Sequence, residues 1–296
     1  MTRLHTLCRT AVAALMLAAT ALPAAAEDDF GIWTDLSAEK KINKQFAADL
    51  SVGFRAEDRL NHDTRWSVGT GLSYKPVKGL KLSAGYTLIR DFSLSEAKAR
   101  YKDNGNLSGY NVDHGFWRTK HRFTFDISGK HTFGRLTVGL RERFQMTHSN
   151  SAKTLRDKYR KPLAYQPGYL EETWTYNGME FIEYNDVEVK DFIEGVNGLP
   201  EIDHKSGKTT HYLRSRLSAE YDIRHCPLTP YAAVEWSHSL DDAMALAKTR
   251  LTLGTDWKIS KEHSVSLAYI YQDGAGDDDS GTNNIHVIEV GYKFSF

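Results

Sequence analysis

The sequence predicts an all-β protein: a closed antiparallel transmembrane β-barrel of about 10–12 strands, with short periplasmic turns and long extracellular loops. Three observations lead to this fold class. Apolar and polar residues alternate along most of the chain, as in strands with two different faces. Short and long connections between these segments follow one another in turn. Aromatic residues gather toward the segment ends, where barrels carry interfacial girdles.

Eleven segments alternate with a period of two. In 46–56, Leu50 and Phe54 lie on one face and Arg55 lies on the other. Each segment has roughly 9–13 residues, enough for a tilted strand to cross a bilayer. The segments are 31–40, 46–56, 65–75, 80–91, 120–129, 135–147, 211–223, 230–238, 249–259, 264–272 and 285–296.

The composition excludes several other classes of protein. Beyond the N-terminus, no apolar run reaches the roughly 18 residues that a membrane-spanning helix needs. Aromatic residues make up 11% of the chain and its net charge is zero, so a disordered chain is not expected. The 38 basic residues are balanced by 38 acidic ones, whereas nucleic-acid binding usually requires a basic excess. No nucleic-acid partner is predicted.

The first 26 residues read as a signal peptide. Arg3 and Arg9 form its basic region, residues 11–22 its apolar region, and the alanines at 24–26 suit cleavage. We therefore expect 1–26 to be removed and 27–296 to form the barrel. We also expect export to the outer membrane of a Gram-negative bacterium, where outer-membrane lipid surrounds the barrel.

An odd number of strands conflicts with this export route. The last segment follows a long connection and so ends in the periplasm, whereas the first precedes a short turn and would begin outside. A chain released from a signal peptide should begin in the periplasm, which favours an even count. Three arrangements remain open: an unrecognised strand, a ten-stranded barrel with 27–40 in its lumen, or an odd barrel.

The last strand carries a predicted assembly signal. Tyr292, Phe294 and Phe296 occupy alternate positions at the end of the sequence. This pattern resembles the C-terminal strand by which the outer-membrane assembly machinery recognises its barrels. The resemblance implies that machinery as a partner.

The polar face of the segments is uneven. It is mainly Gly and Ser on 46–56, 65–75 and 80–91 but charged on later segments, so one wall should have room and the opposite wall should carry charges. Either an ion-pair network fills a narrow barrel, since buried charges need partners, or a polar or anion-attracting channel runs through it, with rings of charge that set its selectivity. The predicted lumen ion-pair array comprises Arg122, Asp126, Arg141, Arg143, Arg214, Arg216, Glu220, Asp222, Glu235, Arg250 and Asp256.

Two features depart from a regular barrel. Glu142 is in phase with the apolar residues Leu140 and Phe144, where a carboxylate is unfavourable in lipid, so we expect a β-bulge near 141–143 to turn it inward. The segment 149–208 is too long for a simple extracellular connection, and the weak alternation of 179–189 suggests a hairpin within it. The segment is either an exposed surface loop or a lid over the lumen.

Neither an enzyme nor a cofactor is predicted. The acidic run 277–279 lacks the spacing of a calcium-binding loop, and the histidines do not cluster at metal-ligand spacing. A barrel hydrolase could use Ser128 with His121 or His131, but any barrel offers such pairs by chance.

Four stretches resemble a Gram-negative outer-membrane β-barrel family of unknown function, family 2490. They are DFGIWTDLSAEKKINKQ, LTVGLRERFQ, LRSRLSAEYDIRHCPLTPYAAVE and HVIEVGYKFSF. The resemblance spans nearly the whole chain after residue 26 and implies the barrel fold, but it implies no catalytic residue. The role stays open between a passive channel for small polar solutes, an occluded structural or surface-interaction barrel that binds a ligand or partner through 149–208, and, less favoured, a lipid-modifying enzyme.

Overall fold

The computed structural model describes residues 29–57, 62–101, 103, 107–160, 175–177, 180–184, 187–188, 201–273 and 284–296. The predicted signal peptide and the acidic run 277–279 lie outside these residues. Within the described chain, no helix is long and apolar enough to cross a membrane. The strands are β1 (Asp29–Lys41), β2 (Phe46–Glu57), β3 (His62–Tyr74), β4 (Leu80–Ser93), β5 (Glu96–Tyr101), β6 (Leu107–Asp113), β7 (Phe116–Phe133), β8 (Leu136–Ser149), β9 (Ala152–Arg160), β10 (Thr175–Asn177), β11 (Glu180–Tyr184), β12 (Val187–Glu188), β13 (Glu201–Lys205), β14 (Lys208–Tyr221), β15 (Leu228–Ser239), β16 (Ala245–Lys258), β17 (His263–Asp273) and β18 (Asn284–Ser295).

Eleven of these strands close into a single barrel. Their order around it is β1-β18-β17-β16-β15-β14-β8-β7-β4-β3-β2, and they correspond to the eleven alternating segments of the sequence. Closure pairs every strand on both sides, so no open sheet edge remains to be satisfied in lipid. The predicted all-β closed barrel is confirmed.

A parallel seam between β1 and β18 accounts for the odd strand count. These two strands pair in register from Asp29↔Ile285 to Glu39↔Ser295, whereas consecutive strands pair antiparallel, as β1 does with β2 and β17 with β18. Of the three arrangements left open, the odd barrel is therefore the one observed. Parallel pairing is slightly weaker per residue, and a salt bridge of 2.7 Å between Lys293 and Glu39 reinforces this seam.

The two ends of the barrel differ in their connections. Short turns at 42–45, 75–79, 134–135, 222–227 and 259–262 define what we call the turn end. The longest connections, 94–115, 150–207 and 274–283, leave from the opposite end, which we call the loop end. Two other connections at that end, 58–61 and 240–244, are as short as the turns, so the expected strict alternation of connection lengths is wrong there. β1 and β18 both run from the loop end to the turn end. The described chain thus begins at one end of the barrel and finishes at the other.

The outer wall of the barrel is apolar. Outward side chains such as Leu72, Phe125 and Trp66 are 60%, 58% and 48% exposed, and such residues recur at every second position of the strands. Exposed apolar surface of this extent is unusual for a protein surrounded by water. It matches the outward band of a membrane barrel.

The prediction of a β-bulge near 141–143 is wrong. β7 and β8 pair without a register shift through Ile127↔Glu142, so this side chain stays on the outer face with Leu140. Its carboxylate accepts a hydrogen bond of 2.6 Å from the Ser215 hydroxyl. A neighbouring donor on β14, rather than a turn of the backbone, therefore compensates part of the cost of placing the carboxyl there.

Residues 92–118 and 150–208 form a second compact unit. Within it, β13, β9, β6 and β5 make a four-stranded sheet that pairs antiparallel throughout. The segment 149–208 therefore includes sheet strands rather than irregular chain alone. β11 and β12 also pair as a hairpin, at the place where weak alternation suggested one.

Candidate functional site

The interior of the barrel is charged and tightly packed around Glu235. This carboxylate accepts hydrogen bonds from Arg141 and Arg214, and Nη1 of Arg250 lies 3.7 Å away. The Glu235 side chain is only 4% exposed. One buried carboxylate on β15 thus holds three guanidinium groups from β8, β14 and β16. A buried charge of this kind is tolerable only because its partners surround it.

Polar contacts extend this cluster around the barrel. The amide oxygen of Gln145 accepts from Arg214 at 2.8 Å, and that of Gln272 accepts from Arg250 at 2.7 Å. On the far strands, Lys120 donates to Asp91 at 2.7 Å. These side chains form what we call the interior layer, which lies in the loop-end half of the lumen and whose members are all buried: Trp33, Asp91, Lys120, Gln145, Arg214, Glu235 and Gln272.

Trp33 ties the parallel seam into the interior layer. The Arg55 guanidinium lies 3.9 Å above its ring and that of Arg250 lies 5.0 Å away, both within the range of cation–π attraction. The indole N–H donates to Glu57 at 2.9 Å. Trp33 therefore links β1 to β2 on one side and to β16 on the other.

A cavity of about 610 Å³ occupies the lumen on the turn-end side of the interior layer. Side chains from seven strands line it: β1, β2, β3, β8, β16, β17 and β18. A second cavity of about 360 Å³ shares Arg141, Asp256 and Ser266 with the first. The two cavities are thus contiguous, and small residues such as Gly53 and Ser67 provide the space. A Cβ added at Gly53 would lie 2.7 Å from the Ser67 hydroxyl oxygen.

The predicted ion-pair array is divided into separate groups. Arg143 binds Asp126 through two hydrogen bonds of 2.6 and 2.7 Å, and Lys130 binds Glu220 at 2.5 Å. Arg141, Arg214 and Arg250 meet at Glu235, and Arg122 donates to Thr147 at 3.2 Å. Arg216, Glu220 and Asp256 line the second cavity. Asp222 follows β14 and is exposed at the turn end.

Sequence reasoning missed several residues of this site. Trp33 and Asp35 lie in the polar phase of the first segment and so point inward, but their partners come from strands that are distant in sequence. Gln145 carries no charge, and Lys120 is the first residue of its segment. Both are nevertheless buried in the interior layer. Their inward phase was visible in the sequence, whereas their packing depends on strand register.

Nothing in the described chain forms a metal centre, since no group of three or more His, Cys, Asp or Glu residues is close enough to hold an ion there. The hydrolase pairs considered from the sequence do not assemble either. Ser128 lines the second cavity, whereas His121 hydrogen-bonds the Tyr86 hydroxyl at 2.8 Å on the outer face. His131 packs against Phe133, with 4.5 Å between the rings.

The residues of the predicted assembly signal line one outer edge of the turn end. The Tyr292 hydroxyl hydrogen-bonds His263 at 2.6 Å, and the rings of Phe294 and Phe296 stack 5.2 Å apart. Lys40 on β1 lies 5.7 Å from the Phe296 ring. The last aromatic residue of the sequence therefore contacts the strand that closes the seam.

Comparison with known proteins places these features in a family. The sequence model of a family described as "Protein of unknown function (DUF2490)" matches residues 30–283. No curated protein matches the chain.

Several solved barrels are similar in structure. The beta domain of the Bordetella autotransporter BrkA is 14% identical, with 86% of each chain covered and a TM-score of 0.49. The translocator domain of the autotransporter NalP from Neisseria meningitidis is 10% identical over 95% of this chain and 94% of its own, with a TM-score of 0.44. The NanC porin is 12% identical over 90% of this chain and 98% of its own, with a TM-score of 0.42. None of them is similar enough to assign an activity.

Proposed function

The chain belongs to the DUF2490 family of proteins of unknown function, and we propose that it is an outer-membrane β-barrel whose lumen admits small polar solutes. The observation that carries this proposal is the cavity of about 610 Å³ inside the closed barrel, lined by polar side chains from seven strands. An apolar outer wall around a polar interior is the arrangement of barrels that pass solutes across a membrane.

The proposed orientation follows from the connections. Short turns face the periplasm in outer-membrane barrels and longer loops face outside. In this orientation the cavity lies toward the periplasm and the interior layer lies toward the cell surface. Residues 1–26 would direct export and then be removed.

The interior layer is the proposed constriction of the channel. Its members are buried and hydrogen-bonded to one another, so passage of a solute requires some of these contacts to separate. Charged side chains at a narrow point set which solutes pass. Arg214 and Glu235 occupy this position in the proposed channel.

Conductance measurements test this function. The full chain is inserted in planar lipid bilayers and compared with the double variant Arg214→Ala/Glu235→Ala, which shortens both side chains at the constriction. Because Arg141 and Arg250 lose the same carboxylate, folding of the variant is first checked by tryptophan fluorescence. We expect a small conductance for the native protein and a several-fold larger one for the variant. The control is Glu96→Ala/Lys98→Ala, an exposed ion pair on β5 that lines neither cavity and should change conductance little. The absence of current from all three proteins would contradict the proposal.

The tight burial of the interior layer favours a second candidate. In this alternative the lumen is occluded, and the protein serves as a structural or surface-interaction barrel that binds a ligand or partner through 149–208. It predicts no conductance even for the constriction variant, and a surface-binding activity that is lost when 150–207 is deleted. Much of that segment lies outside the described residues, so the candidate rests on the packed lumen alone.

The barrel assembly machinery is the proposed partner during membrane insertion. Tyr292, Phe294 and Phe296 lie on the outward face of the last strand, where such a factor could bind before the barrel closes. Insertion into liposomes that contain the purified machinery should slow when Phe296 is deleted. It should not slow for Phe133→Ala, which changes another exposed aromatic residue at the turn end. Equal rates for all three chains would argue against this role.

A further inference from the structure

The cavity carries guanidinium groups on one side of the lumen and carboxylates on the other. Three cations also line the carboxylate side: Lys293, which is paired with Glu39, Arg55, which lies over the Trp33 ring, and Lys258. β8 is five neighbours from β1 in one direction around the barrel and five from β18 in the other. In a ring of eleven strands, β8 therefore lies opposite the parallel seam. Arg141 and Arg143 on β8 and Asp35 and Glu289 on the seam all line the same cavity.

The acidic wall follows one row of paired residues. Asp256 pairs with Ser266, Ser266 with Gly291, and Gly291 with Asp35. Small residues thus separate the two aspartates and leave space in front of them, and Glu289 lies two residues before Gly291 on the same inward face. Among the described residues, none of the carboxylates of Asp35, Asp256 and Glu289 has a salt bridge within 4.0 Å, although Arg55, Lys258 and Lys293 line the same cavity.

The basic wall retains unused hydrogen-bond donors. Arg141 binds Glu235 through Nη2, which leaves Nη1 without a described bond on a side chain that is 25% exposed. Arg143 uses Nε and Nη2 on Asp126, which leaves Nη1 without a described bond. A guanidinium has five N–H donors and recognises carboxylates well. This wall can therefore bind an anionic group through the two Nη1 atoms while both ion pairs stay formed.

The distance between the walls limits the ligand. Strands about 4.8 Å apart and tilted by about 40° give an eleven-stranded barrel a backbone diameter of about 20 Å. Side chains on both walls leave roughly 10 Å between their charged ends. A bound molecule must carry its own charges several ångströms apart in order to meet both walls.

We propose that the lumen binds small zwitterions with separated charges, the carboxylate facing Arg141 and Arg143 and the ammonium facing Asp35 and Glu289. This inference rests on the proposed solute-binding function of the lumen and names its substrate class. A molecule with one charge satisfies one wall and leaves the other facing water. A zwitterion satisfies both, so electrostatic complementarity favours it.

Three matched dipeptides test the proposal: glycylglycine, which is a zwitterion at pH 7, N-acetylglycylglycine, which is only an anion, and glycylglycinamide, which is only a cation. Binding to the full chain folded in detergent micelles is followed by saturation-transfer NMR. We expect glycylglycine to bind at least tenfold more tightly than either derivative. In Asp35→Asn/Glu289→Gln its affinity should fall at least tenfold and approach that of the anion.

The acidic-wall variant is expected to fold because neither residue has a described salt-bridge partner to lose. The matched control Asp222→Asn removes an exposed carboxylate outside the cavity and should leave binding unchanged. Equal affinity for the zwitterion and the anion, an unaffected double variant, or no binding of any dipeptide would overturn the inference. Conductance separates this result from the proposed function: a barrel that conducts but shows no preference for glycylglycine keeps the channel and loses the zwitterion site.

Discussion

Replacing Glu235 by Gln should destabilise the barrel more than any other single loss of charge in the array. The native carboxylate accepts from Arg141 and Arg214 and lies 3.7 Å from Arg250. Glu235→Gln keeps the shape of the side chain but removes its negative charge. Three guanidinium groups then remain close together in the interior layer with no carboxylate between them.

The expected cost can be worked out from these contacts. Each hydrogen bond between charged groups contributes about 1.5–3 kcal/mol. At 3.7 Å the attraction of Arg250 is about 4 kcal/mol at an effective dielectric constant of 20, before desolvation is subtracted. Removal of one member of a buried ion pair typically costs about 3–5 kcal/mol. We expect Glu235→Gln to lower the free energy of unfolding by about that amount.

The free energy of unfolding is measured by guanidinium chloride denaturation of the barrel in detergent micelles, followed by tryptophan fluorescence. Glu220→Gln is the matched control because its partner Lys130 is 55% exposed, and exposed pairs contribute about 1 kcal/mol or less. Equal losses for the two variants, or a loss below about 1 kcal/mol for Glu235→Gln, would refute the idea that Glu235 holds the interior layer together.

Three further predictions concern other parts of the chain. In the second unit, burial opposes ionisation of Asp113, but hydrogen bonds of 2.5 Å each from Arg156 and Lys205 outweigh it and lower its pKa below 3.8. The stabilisation by ionised Asp113 should be complete above the ordinary pKa of the carboxyl and lost as the pH falls through the lower folded-state pKa. Hydrogen-exchange protection of the backbone amides in β6, β9 and β13 should therefore decrease below about pH 4 in the native chain. Asp113→Asn should abolish this pH dependence. Trp33→Ala should lower the free energy of unfolding by about 3–5 kcal/mol, because the ring is buried and packs against two guanidinium groups. A loss under about 1 kcal/mol would contradict its role at the seam. Glu142→Leu should leave the barrel equally stable or raise its stability by about 1 kcal/mol. A clear loss in the same assay would show that the hydrogen bond from Ser215 outweighs the cost of placing the carboxyl on the outer face.

Much of the barrel could be predicted because strand phase is a local property. Alternation places Leu72 outward and Ser73 inward whatever the neighbouring strands are. A register shift of one residue would turn every apolar side chain of the strand toward the lumen. The longest connections, 94–115, 150–207 and 274–283, then mark one end of the barrel. The parallel seam was not predictable in the same way, because pairing of β1 with β18 joins segments at opposite ends of the chain.

The candidate site was predictable as a set of residues but not as an arrangement. The inward phase identified Glu235 and its arginines, but which carboxylate serves three guanidinium groups depends on the stagger of β8, β14, β15 and β16. The same stagger leaves Asp35 without a salt bridge among the described residues while Asp126 has one. The prediction at Glu142 was wrong for another reason. Ser215 on the adjacent strand donates a hydrogen bond to the Glu142 carboxylate, so no β-bulge is needed, and the local sequence pattern does not show that contact.

Thiol accessibility shows whether the chain forms a membrane-embedded barrel with a water-filled cavity. Ser67 lines the cavity and its neighbour Val68 is on the outer wall, 50% exposed. Each is replaced by Cys in a chain otherwise free of cysteine, inserted in liposomes and treated with a charged, water-soluble thiol reagent on both sides of the membrane. The barrel predicts rapid labelling of the Ser67→Cys chain and protection of the Val68→Cys chain by lipid. Labelling of both positions, or labelling of Val68→Cys alone, would contradict it.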